Sequence, residues 1–264
     1  MAIISTLVAI LMPALSAARR GGDATSCLAN LHRIGVSTTM YLEQSDSRFP
    51  PVRLQTVNGQ NYINEFGCEK PRWQWFLAFD IGAIIQPPRN STAPWGDSYS
   101  TRLTNNYFLC PSLKGPAAND IRNGAYGYNY QYLGNSRTDT APPEYDNFPV
   151  GQTQIPTPSQ VVLVADSRGA DPRHGKHSYT LDPPRLATEK NAAKFGPGAG
   201  DGPIAHSPAE ARHSGRAAVS FVDGHAETLS LEQLGYDVGS DGVVIPDAKG
   251  ASPRASNRLW GGGQ

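Results

Sequence analysis

The first eighteen residues of this 264-residue chain lack charge altogether. MAIISTLVAILMPALSAA holds neither acid nor base, and Arg19-Arg20 follow at once. That absence excludes a solvated arm, because so apolar a run is stable only in lipid or among helices like itself. No basic stretch precedes the run, and the basic pair lies on its far side, which argues against a cleaved secretory signal. Cysteine is scarce: Cys27, Cys68 and Cys110 are the full set, and an odd number excludes complete intramolecular bridging. Charge of either sign is in no excess, with 23 basic and 23 acidic residues, so no nucleic-acid partner steered by charge is expected. No GxSxG elbow, HExxH helix or GxxxxGK[ST] loop occurs, and there are no internal repeats.

Glycine and proline are abundant instead, 27 and 22 residues, together well above the usual share of about 12%. Charged residues make up 17%, against a usual figure of about 25%. Long polar loops on a small sheet, in an exported head, produce that balance. The apolar run is close to the ~20 residues a membrane-crossing helix needs, and Pro13 removes one of its backbone hydrogen bonds. Helical signal resumes at Asp23, read as an N-cap after Gly21-Gly22. Cys27, Leu28, Leu31, Ile34, Gly35, Thr38, Tyr41 and Leu42 then recur at three- and four-residue steps, placing them on one helix face. The pattern ends at Gln44-Ser45-Asp46-Ser47, before Phe49-Pro50-Pro51. The expectation is a retained helix in two halves, with Pro13 and the glycine pair as weak points. Ile3, Ile4, Leu7, Val8, Ile10 and Leu11 serve anchoring and assembly, and Pro13 is the flexible position.

In the remainder, the clearest strands are Val161–Ala165 and Ala217–Val222. In the second, Ala217, Val219 and Phe221 face one way and Ala218, Ser220 and Val222 the other. Asp223-Gly224 reads as a two-residue hairpin turn with positive φ at both positions, and His225–Leu229 returns as the partner strand. A short helical turn is expected at Leu231–Leu234, with polar loops at 86–105 and 167–212. The expected fold class is α+β: a long N-terminal hydrophobic helix packed on a mainly antiparallel β-sheet head with long Gly/Pro-rich loops. Its organisation is a membrane and assembly helix at 1–20, an amphipathic continuation at 21–46, a globular head at 47–234, and a flexible C-terminal tail at 235–264.

The apolar start ending in LMPALSAARR, followed by SCLANLHRIGVSTTMYLEQSDSRFPP, resembles the opening of a type IV pilin-like or pseudopilin subunit. It resembles in particular the large prepilin-type proteins abundant in planctomycetes and their relatives. Those carry a C-terminal signature of a histidine, nine residues and Asp-Gly; here it reads His213, SGRAAVSFV, Asp223-Gly224. FLCPS around Cys110, YGYNYQYLG at 126–134 and VVLVADS at 161–167 are similar to family segments too. The resemblance implies a pilin-like fold and a filament subunit of a type IV pilus or type II secretion system. Such a subunit sits in the inner membrane with a periplasmic head, then assembles with copies of itself or other pilin-like subunits through the secretion or pilus machinery. Family members begin with a basic leader, a cleavage-site glycine, an aromatic residue that becomes the methylated N-terminus, and a glutamate. None of these stands at the start here; the expectation is that the true start lies upstream of Met1, the alternative being a divergent copy that cannot be processed.

For chemistry, Asp166, His213, Asp223 and His225 are nitrogen and oxygen donors suited to zinc-like ions. His213 and Asp223, however, end one strand about 33 Å apart when extended, so one cation cannot join them. The signature residues His213, Asp223 and Gly224 are therefore read as architectural. No catalytic residue, metal or cofactor is assigned, and Asp166 and His225 remain as metal candidates. The family resemblance implies calcium as an option, yet no spacing selects Asp171, Asp182 or Asp201. Cys68 with Cys110 is the disulfide candidate, the alternative being three buried thiols, and Cys27 is read as a small buried side chain on the helix face. Two other functions stay open. One is an exported glycan- or surface-binding protein using loop aromatics at Trp73, Trp75, Trp95 and Tyr126–Tyr132. The other is a membrane-tethered, metal-dependent hydrolase, for which no nucleophile is recognisable.

Overall fold

The computed structural model describes residues 2–54, 56–57, 60–69, 71–77, 85–86, 95–96, 102–103, 106–113, 120–121, 125–134, 150–167, 179–185, 207–245, 252 and 254–261. The fold is α+β. One helix, α1 (Ala2–Gln44), runs unbroken for 43 residues through Pro13 and the glycine pair. The two expected weak points do not divide it, and Asp23 lies in mid-helix rather than at a cap. Each interior glycine costs only about 1 kcal/mol against alanine, while every added residue brings a further hydrogen bond. The Thr25 hydroxyl also donates to the Gly21 carbonyl at 3.0 Å, tying the turn across the pair. The helix stops where the Ser47 amide donates back to the Leu42 carbonyl at 3.0 Å, with Asp46 and Ser47 both at positive φ.

The two halves of α1 have opposite fates. Ile3, Ile4, Leu7, Val8, Ile10, Leu11, Met12 and Leu15 are all exposed, Ile3 at 77%. In length and composition the helix can cross a membrane. From Cys27 onward, Cys27, Leu31, Ile34 and Leu42 are fully or almost fully buried, the face that the spacing marks.

That face lies on a four-stranded antiparallel sheet: β1 (Tyr126–Tyr128), β2 (Val162–Asp166), β3 (Ala217–Phe221) and β4 (Ala226–Leu229). The strands neighbour one another in chain order. β1 has no counterpart in the sequence-based expectation, because three residues with a central glycine show no alternation. Elsewhere, Ile85–Gln86 pairs with Arg102–Leu103, so the 86–105 loop is tied at its ends.

Both faces of the sheet are covered. Ala218 and Val222 face the α1 side, whereas Ala217, Val219 and Phe221 face the other, as the alternation requires. A register shift between Val162 and Val164 puts Leu163 and Val164 both in the core on the helix side. On that side Trp73 of a short helix, α2 (Trp73–Leu77), meets Phe108 and Tyr128 with ring centroids 5.7 Å apart in each pair.

The opposite face is sealed by Leu231, Leu234, Tyr236 and Trp260. This corrects the expectation of a flexible tail from 235. Trp260 is fully buried and its indole N–H donates to the Leu234 carbonyl at 2.9 Å. The Leu259 carbonyl accepts from the Val162 amide at 2.8 Å, and the Tyr236 hydroxyl donates to the Asp182 carbonyl at 2.6 Å. A sheet with apolar side chains on both faces needs a second layer, and this segment supplies it.

Candidate functional site

Two tight turns frame β3. Its entry is a true two-residue hairpin: His213 and Arg216 exchange both backbone hydrogen bonds, with Ser214 and Gly215 at φ 53° and 82°. Positive φ at both central positions is the type I′ pattern. Its exit is not the expected two-residue turn. Phe221 and His225 close a three-residue loop, in which the Gly224 amide donates to the Phe221 carbonyl at 2.9 Å and only Gly224 has positive φ. Asp223 shapes this turn, its Oδ1 accepting from the His225 amide at 3.2 Å and from His225 Nδ1 at 2.5 Å.

The signature histidine and the Asp-Gly pair therefore occupy opposite ends of β3, and each end grips α1. At the exit, His32 Nδ1–H donates to the Gly224 carbonyl at 2.8 Å. Gly35 also passes so close that a Cβ there would lie 2.9 Å from Gly224 Cα. At the entry, His213 reaches a buried polar cluster beneath Cys27. His225 stays at the exposed exit, stacked on Phe221, and takes no part in that cluster.

Each part of the cluster has a local cause. Cys110-Pro111-Ser112-Leu113 is a turn closed by the Leu113 amide on the Cys110 carbonyl at 2.9 Å, with proline in its favoured second position. It points Cys110 Sγ and Ser112 Oγ at the two ring nitrogens of His213, each at 3.4 Å. Asp166 ends β2 fully buried. Its Oδ2 accepts from the Ala218 amide at 2.8 Å and lies 3.2 Å from His213 Nε2, while Oδ1 faces Arg212 Nε at 3.5 Å. Cys27 Sγ completes the group, 3.6 Å from Asp166 Oδ1 and 3.2 Å from the Tyr126 hydroxyl. One donor atom each from Cys27, Cys110, Asp166 and His213 falls within 4.8 Å of the others.

The electrostatics are those of ionisable groups buried side by side. The Cys27 thiol's hydrogen bond is the largest influence on Cys110, lowering it to about 5 against the effect of burial, with help from His213 and Arg212. Cys27 moves the other way, raised by that same hydrogen bond, by burial and by the Asp166 charge. Burial alone would lower His213, but hydrogen bonds to Asp166 and Cys110 and the charges on both outweigh it and raise it to about 9. Arg212 is held charged despite burial by Asp166 and its acidic neighbours.

The expected Cys68–Cys110 bridge is not formed: all three cysteines are buried thiols. Cys110 stands with Cys27, and Cys68 Sγ faces the Glu69 carbonyl. Asp166, a metal candidate in the sequence, is in the cluster; His225 and Asp223 are not. Among the calcium candidates, Asp182 is spent internally, accepting from Tyr130, Gln131 and the Ser207 amide at 3.1, 2.7 and 2.7 Å. Asp171 and Asp201 lie outside the described residues.

Cys27 and Cys110 are the members that sequence reasoning left out. The signal lay in the fragments themselves. SCLANL supplies Cys27, FLCPS Cys110, YGYNY Tyr126, VVLVADS Asp166, and the C-terminal signature His213. All five fragments converge on one point.

Of the loop aromatics, Trp73, Trp75, Tyr126, Tyr128 and Tyr130 are buried, which corrects their reading as surface contacts. The Trp95 side chain lies outside the described residues. A cleft of about 570 Å³ beside the end of α1 is lined by residues including Tyr41, Tyr62, Glu65, Phe66 and Trp75. No family model, curated protein or solved structure matches the chain.

Proposed function

We propose that this protein is a structural subunit of a type IV pilus-like or type II secretion-like filament, held in the inner membrane before assembly with its head on the periplasmic side. The observation that carries the reading is the free half of α1, apolar on every side and projecting from a head that packs only on the other half. A helix apolar all round belongs in lipid or among other helices. The uncharged residues 2–18 extend about 26 Å at 1.5 Å per residue, close to the ~30 Å of a bilayer's hydrocarbon core. Such an arm leaves lipid only when sibling arms bury it equally well, and that is the physical basis of a helical filament core. The buried polar cluster, enclosed beneath α1, fits a role in fixing helix to head better than one in turnover.

The test is photo-crosslinking in cells, with a benzophenone amino acid replacing Leu7 or Leu11. Chain-to-chain adducts extending into a ladder support a filament subunit. Adducts with lipid alone, under conditions where filaments or secretion are active, contradict it.

One observation favours a second reading, an exported glycan- or surface-binding protein: the aromatic-lined cleft with Glu65 and Asn64 at its rim. Flat rings with nearby polar groups suit a sugar face. Saturable glycan binding by the full chain, lost on Phe66→Ala, would support it.

A further inference from the structure

The geometry points to a structural metal centre: Cys27, Cys110, Asp166 and His213 hold one zinc-class divalent cation that ties α1 to the head. The inference stands independently of the filament reading.

The donor set comes first. Two thiolates, an imidazole and a carboxylate form the nitrogen, oxygen and sulfur shell that zinc and similar borderline ions prefer. The dimensions come close to those of a loaded site. With metal–sulfur bonds of about 2.3 Å and metal–nitrogen or metal–oxygen bonds of about 2.0–2.1 Å, tetrahedral ligand atoms stand about 3.3–3.8 Å apart. Here Cys110 Sγ to His213 Nε2 is 3.4 Å and Cys27 Sγ to Asp166 Oδ1 is 3.6 Å, while His213 Nε2 to Asp166 Oδ2 is 3.2 Å, just under that range, the carboxylate offering one oxygen to each neighbour. One donor atom from each of the four lies within 4.8 Å of the others, so the groups gather round one point in a shell that a bound ion would draw in.

The surroundings are those of a metal site as well. Metal-bound histidines give their second nitrogen to an oriented partner, and His213 Nδ1 faces Ser112 Oγ. The Tyr126 hydroxyl points at Cys27 Sγ, and Asp166 is fixed by the Ala218 amide and Arg212. Two thiolates and a carboxylate offset a divalent cation and the Arg212 guanidinium, which Glu210 also meets at 3.0 Å. Four ligands leave no open coordination position, so the ion is structural rather than catalytic. Its ligands come from α1, the Cys110 turn, the end of β2 and the entry to β3, so one ion fastens four segments distant in the chain.

The test uses the full chain in detergent, stripped with a chelator under reducing conditions and titrated with Co²⁺. The expected result is tetrahedral cobalt absorption with thiolate charge-transfer bands, saturating at about one equivalent and displaced by Zn²⁺. Cys27→Ser and Cys110→Ser lose the charge-transfer bands or weaken binding at least tenfold, and Cys68→Ser keeps both. If the serine variants do not fold, zinc content of the native chain is measured directly, with the Cys68→Ser chain beside it. Absence of thiolate–cobalt bands in the wild-type chain overturns the inference. So does binding unchanged in both Cys27→Ser and Cys110→Ser, or a metal-free native chain with a Cys27–Cys110 disulfide on peptide mapping.

Discussion

Gly35 in α1 and Gly224 in the β3–β4 turn touch backbone to backbone: a Cβ on Gly35 would stand 2.9 Å from Gly224 Cα and 3.3 Å from its carbonyl oxygen. That contact sets how closely the long helix lies on the sheet. With the cluster at Cys27 it fixes α1 at two points along β3, so the C-terminal signature acts as a clamp. The free half of the helix is aimed by the clamped half.

A side chain at Gly35 must therefore lift the helix. Gly35→Val is expected to destabilise the head by about 1–3 kcal/mol, the usual cost of overpacking, read as a lowered melting temperature of the full chain in detergent. Gly22→Ala is the contrasting case, because nothing lies within 4 Å of its added methyl. It gains about 0.5–1 kcal/mol of helix propensity, and the melting temperature stays level or rises.

Gly224 itself sits at φ +89°, where a side chain is strained. Gly224→Ala is expected to cost about 1–3 kcal/mol and to weaken the hairpin, whereas Asp223→Asn, which keeps an acceptor for the His225 amide, costs less. Urea unfolding midpoints of the two variants give the order.

The projecting arm predicts a sharp response to charge. Leu7→Asp with Leu11→Asp places two carboxylates in the apolar half, each costing about 2.5–3.5 kcal/mol at the centre of a membrane helix. The double variant is expected to leave the membrane fraction in flotation gradients while the head keeps its circular-dichroism spectrum. Retention in the membrane would show that the arm is not the anchor.

Trp260 predicts that the C-terminal segment is a layer of the fold. Trp260→Ala is expected to destabilise by about 3–5 kcal/mol, and deletion of residues 246–264 to expose the second face of the sheet. Increased binding of a hydrophobic dye to the truncated chain is the check.

Much of this was legible in the chain for a physical reason. The buried face of α1 follows a helical period, and the β3–β4 hairpin follows a two-residue alternation closed by a glycine turn, so both leave local marks. Trp260 leaves none: a single large residue among glycines, prolines and polar residues reads as tail until the sheet it covers is seen. The cluster is harder still. Cys110 and His213 are 103 residues apart, and Cys27 and Asp166 are 139; even the nearest two, Asp166 and His213, are 47 apart, beyond the reach of a local pattern. The exit turn was misread because Asp-Gly suits a two-residue loop as well as the last two positions of a three-residue loop.

The most direct test of the central claim is the intact mass of the native protein, taken separately from the membrane and soluble fractions. The account predicts a membrane-bound chain whose mass includes the apolar segment through Arg20. A freely soluble monomer beginning beyond Arg20 would contradict it.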